Sequence, residues 1–92
     1  MSMFVVRVEL HFAIEANYDT LHQAMRAAGF TTTIPAADGV QYQLPPAQYF
    51  ADTNDSWEQV LNVAKTAASR TGRAYGVIVT EGNSYWSGLT PV

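Results

Sequence analysis

The chain contains no cysteine, which excludes disulfides and thiolate metal sites. No apolar run approaches the roughly 18 residues that a membrane span requires. Charge is also scarce: Asp, Glu, Lys and Arg make up 14% of the 92 residues, and the net charge is −3. That balance works against an indiscriminate hold on nucleic acid, which needs a broad basic footprint, so DNA is not an expected partner. It leaves room for a local basic patch. Glycine-rich phosphate loops, nucleophile elbows and His-Glu-x-x-His pairs are missing too. The opening MSMFVVRVELHF carries charges inside its apolar stretch and no small-residue cleavage site. A signal peptide is therefore not expected, and a cytoplasmic location is.

What is present suffices for one small domain spanning residues 1–92, with a single core. Hydrophobic residues make up 48% of the chain. With so little charge, part of the surface must be uncharged or apolar, and a homodimer is expected.

Met3 to Phe12 alternates as a strand, with Phe4, Val6, Val8, Leu10 and Phe12 on one face and Val5, Arg7, Glu9 and His11 on the other. Asn17 is a good N-cap for a helix from about Tyr18 to Ala28, closed by Gly29. Phe30 to Leu44 reads as two short strands around Pro35 and an Asp38-Gly39 turn, with Gln41 and Gln43 on the face away from Tyr42 and Leu44. Pro45-Pro46 halts the pairing, and Gln48 to Ala51 resumes an extended path. Ser56 with Gln59, or Asp55 with Glu58, has capping-box spacing, so a second helix starts near Trp57. Its stripe of Trp57, Val60, Leu61, Ala64 and Ala68 makes Trp57 the expected core anchor. Ala74 to Thr80 is the last main strand, and Ser84 to Ser87 has the pattern of a short fifth strand at the C-terminus.

The order strand, helix, strand, strand, helix, strand predicts an α+β, ferredoxin-like β-α-β-β-α-β fold, with two helices on one face of a four-stranded antiparallel sheet. The open face would then show Val5, Arg7, Glu9, His11, Gln41, Gln43, Gly76, Ile78 and Thr80. An RNA-recognition motif stacks bases on aromatic residues here, and glutamines stand in their place.

Arg7, Glu9 and His11 are the densest ionisable cluster. A carboxylate near a strand end can bind a divalent metal and a neighbouring His can move protons. The commoner reading of such a cluster is a local ion pair on a solvated or dimer-buried face. Asp19, His22 and Arg26 follow helical spacing on the outward face of the first helix, where most such sets are surface charges. Lys65, Arg70 and Arg73 are the only basic concentration, and cations there complement a helix C-terminus unless they contact phosphate. Tyr85 and Trp86 are candidates for base stacking or for an interface.

With the hairpin and helices placed, the chain resembles the GhoS-type antitoxin family of small ferredoxin-like proteins. FVVRVEL in the opening strand carries the likeness, with Ala28-Gly29-Phe30 and Asp38-Gly39-Val40 followed by Gln43-Leu44. The resemblance implies endoribonuclease cleavage of a membrane-toxin transcript in a type V toxin–antitoxin pair. It also implies Glu9, His11, His22 and Arg26 as catalytic candidates, and Arg7, Lys65, Arg70 and Arg73 as RNA contacts. The fold is similar to that of small CRISPR-associated nucleases, whose metal-binding acidic residue at the end of strand one would match Glu9. No cofactor is expected, and no ligand set accompanies Glu9 to support a metal there. A second reading stays open: a non-catalytic dimeric binding module for protein or RNA, carried on a mobile element.

Overall fold

The computed structural model describes residues 1–92. Its elements are β1 (Ser2–Leu10), α1 (Glu15–Ala27), β2 (Thr33–Pro35), β3 (Gln41–Gln43), β4 (Gln48–Thr53), α2 (Trp57–Ser69) and β5 (Tyr75–Glu81). β1 is the middle of a three-stranded antiparallel sheet of order β4-β1-β5, and β2 and β3 form a separate antiparallel ribbon. The architecture is α+β with two helices. The four-stranded sheet expected from the sequence is not formed as such. Gln48–Thr53, not the hairpin, pairs with β1, from Ser2 opposite Thr53 to Arg7 opposite Gln48. The chain just before the hairpin is hydrogen-bonded to that sheet through one backbone pair: Thr31 and Phe50 exchange two hydrogen bonds of 2.8 Å.

Alternation along β1 decides what each face of the sheet meets. Phe4, Val6, Val8 and Leu10 are buried under the helices with Leu21 and Met25 of α1 and Val60, Ala64, Ala67 and Ala68 of α2. Tyr49, opposite Val6, points the same way and is fully buried. Phe50, the next residue, points the other way and joins Ile34 and Leu44 in a smaller buried cluster with Val5, Tyr42, Trp86 and Leu89 packed against it. β4 is thus apolar on both faces at its centre, as a strand covered on both sides must be.

The helix ends follow from local chemistry. Ser56 caps α2: its Oγ accepts the Gln59 N–H (3.2 Å), and Gln59 Oε1 accepts the Ser56 N–H (2.8 Å). α1 begins three residues earlier than Asn17 as N-cap would require. Asn17 instead sits in the first turn and accepts the Ile14 N–H at 3.0 Å. Gly29 (φ 98°) closes α1, with the Phe30 N–H returning to the Met25 carbonyl, and only glycine adopts that conformation without strain.

Two more expectations are corrected. Trp57 is 53% exposed and lies outside the core, because the buried stripe of α2 runs through Val60, Ala64, Ala67 and Ala68 and leaves its first residue in solvent. Ser84 to Ser87 is not a strand. The tail is held farther on, where the Gln43 N–H bonds the Thr90 carbonyl (2.8 Å) and the Val92 N–H bonds the Gln41 carbonyl (3.0 Å). No helix is long and apolar enough to cross a membrane.

Candidate functional site

The face of the sheet opposite the helices is divided across its middle. At the end nearer Met3, the ribbon and tail lie over Val5 and Phe50, and Trp86 stacks at a tilt on Tyr42 with centroids 5.6 Å apart. A cleft of about 620 Å3 between ribbon and tail, lined by Ile34, Phe50, Tyr85 and Trp86 among others, has no charged side chain in its wall. The other end is uncovered. Gln48, Arg7 and Ile78 form one cross-strand row there, and Glu9 and Gly76 form the next. Gln41 and Gln43, expected on this face, belong instead to the ribbon.

Arg7 and Glu9 are exposed and two residues apart on one face, which spaces their Cα atoms by about 7 Å. His11 follows just past the strand in a turn, where Phe12 takes a left-handed conformation (φ 54°) and stands 95% exposed. The His11 Nδ1 lies 3.4 Å from Glu9 Oε1, with their side chains 45% and 69% exposed. This is the one contact in the fold between a basic and an acidic side chain within 4 Å. It turns Nδ1 toward the carboxylate, and Nε2 makes no hydrogen bond within the chain. Opposite Glu9, Gly76 has open space where a side chain would stand, so the carboxylate is reachable from the β5 side.

His22 and Arg26 do not join this group. Both belong to α1, on the far side of the sheet. His22 is not on the outward face as expected: its Nδ1 meets the Tyr49 hydroxyl at 2.6 Å. Burial pushes the Tyr49 phenol well above its ordinary range, with a smaller opposing effect from Arg26, so the hydroxyl stays protonated and shares a hydrogen bond with the imidazole. That bond holds α1 to β4. Lys65 and Arg70 lie on the helical layer as well, Arg70 at the C-cap of α2 beside the Ala24–Ala28 stretch of α1. Arg73, in the loop before β5, donates from Nε to Asn17 Oδ1 at 3.2 Å and ties that loop to the start of α1. The basic candidates are therefore split, with Arg7 alone on the open face.

No three His, Asp or Glu side chains gather in a geometry that could hold a metal ion. Tyr49 is the functional-looking residue that sequence reasoning passed over. Its signal was the adjacent pair Tyr49-Phe50, which can be buried only in a strand covered on both faces. No protein-family model matches the chain, and a comparison with curated proteins also finds no match.

Proposed function

We propose that the chain is a ferredoxin-like protein related to the GhoS-type antitoxins that cleaves cytosolic RNA at Arg7, Glu9 and His11. The ferredoxin-like reading is supported by the Thr31–Phe50 pair, which adds the chain after α1 to the outer edge of β4 and gives an order with β1 and β4 inside. The activity rests on one observation: an exposed His–carboxylate pair 3.4 Å apart, on the same strand face as a guanidinium.

The chemistry needs no metal. His11 Nε2 accepts the proton of a ribose 2′-hydroxyl, the 2′-oxygen attacks the adjacent phosphorus, and the bond to the 5′-oxygen breaks, that oxygen taking a proton from water. Glu9 steadies the imidazolium that forms, and Arg7 faces the charge that grows on the phosphate oxygens. With a net charge of −3, binding is selective for few transcripts. The test is a transcript pool incubated with purified protein with and without a chelator. Cleavage should survive chelation and fall roughly 10²–10⁴-fold in His11→Ala. Cleavage that stops with chelator would move the chemistry to a metal at Glu9.

The exposure of the Glu9–His11 pair, with nothing over it to exclude water, favours the second reading of a non-catalytic dimeric binding module for protein or RNA. With RNA as the partner, the pool is retained and never cut, and Arg7→Ala weakens retention.

A further inference from the structure

β5 ends the sheet: β1 occupies one of its edges, and no other segment pairs with it. The His11 N–H bonds the Ala74 carbonyl and the Gly82 N–H bonds the Met3 carbonyl, each at 2.9 Å. Such bonded pairs recur at every second residue of an antiparallel ladder. The backbone groups of Gly76, Ile78 and Thr80 therefore face β1, and those of Tyr75, Val77, Val79 and Glu81 face outward. The strand YGVIVTE has no proline, no lysine and no bulge, the usual protections of a free edge. α2 lies on its face, and the tail turns away at Gly82 (φ 130°) toward the ribbon.

We propose that a second copy of this chain pairs here, β5 against β5 and antiparallel, with the two-fold axis at Ile78. Tyr75 then stands opposite Glu81 of the second copy, Val77 opposite its Val79, and the two Ile78 side chains meet across the axis. Ile78 is 62% exposed in the single chain and would be covered. Charge fits the same register. Lys65 and Tyr75 line one shallow depression at the edge of α2. Glu81 lies an even number of residues from Tyr75 and so shares its face. Pairing brings Glu81 of each copy against Lys65 of the other, and neither residue has an ion-pair partner within the chain. The product is one six-stranded sheet with both open faces on the same side.

Sedimentation equilibrium tests this directly, on wild type, Ile78→Lys, Lys65→Glu and the exchange Lys65→Glu/Glu81→Lys. Wild type should reach twice the 10.1 kDa chain mass. Ile78→Lys sets two cations on the axis and should be monomeric with an unchanged circular dichroism spectrum, since the side chain it replaces is exposed. Lys65→Glu should weaken association about tenfold, and the exchange should restore it. A monomer up to about 1 mM, the weak limit of specific association, would overturn the proposal. So would a dimer that Ile78→Lys leaves intact, because association would then use another surface.

Discussion

One side of the β4-β1-β5 sheet is sealed by two helices, and the other is half covered by a ribbon and a tail. On the helix side twelve residues form one buried cluster. The fully buried Tyr49 has its hydroxyl satisfied by His22. On the other side only Ile34, Leu44 and Phe50 are buried. Beyond them Arg7, Glu9 and His11 remain in water. The helix side carries most of the buried core, and the Arg7, Glu9 and His11 group lies on the side that the helices leave uncovered. His22 illustrates the difference from His11. A half-buried imidazole hydrogen-bonded to a buried phenol is committed to the fold, whereas the exposed His11 ring is not.

Substitutions can sharpen that contrast. The largest loss is expected for Phe4→Ala under the helices, about 3–5 kcal/mol by denaturant unfolding, a large share of a small domain's stability. Phe50→Ala on the ribbon side should fall near the lower end of that range, about 3 kcal/mol, because a cluster of three buried residues collapses around a void more readily. A loss as large as that of Phe4→Ala would show that the ribbon side is as firmly packed as the helix side. Tyr49→Phe removes one hydrogen bond and should cost about 1–2 kcal/mol.

The same variant changes the response to alkali. The Tyr49 phenol is raised by burial, so above an unfolded-state value of about 10 the unfolded chain gives up a proton that the folded chain keeps. The folded state then binds more protons, and stability falls as pH rises past that point. Below it the contribution is fully present. Tyr49→Phe should flatten this alkaline decline in a denaturation series. Trp57→Ala is expected to change stability by less than about 0.5 kcal/mol, because the ring is exposed at the first turn of α2.

Much of this organisation was legible in the sequence, and the failures have physical reasons. The alternation of Phe4, Val6, Val8 and Leu10, the Ser56–Gln59 box and Gly29 are local signals, and each is realised. Trp57 failed because helical periodicity gives spacing but not where a stripe begins. The real stripe starts three residues later, at Val60. The hairpin failed as a sheet component because its greasy residues Ile34 and Leu44 had two surfaces available. They pack onto Phe50, on the side away from the helices, and nothing local in the sequence says so. Ser84–Ser87 failed because a strand needs a partner, and the backbone partners on β3 are taken up by residues nearer the C-terminus, Thr90 and Val92. At the candidate site, the grouping of Arg7, Glu9 and His11 was visible because one strand carries it. Separation of His22 and Arg26 from that group depends on which side of the sheet α1 covers.

The division between a structural side and a working side is tested most directly by comparing Arg7→Ala with Arg26→Ala. Both remove one exposed guanidinium, one from each side of the sheet. Retention and cleavage of the same transcript pool would be measured in parallel, with unfolding curves run to check that both variants remain folded. The expected result is loss of RNA binding and cutting in Arg7→Ala and wild-type behaviour in Arg26→Ala. Loss in Arg26→Ala with full function in Arg7→Ala would contradict the account and place the working surface on the helices.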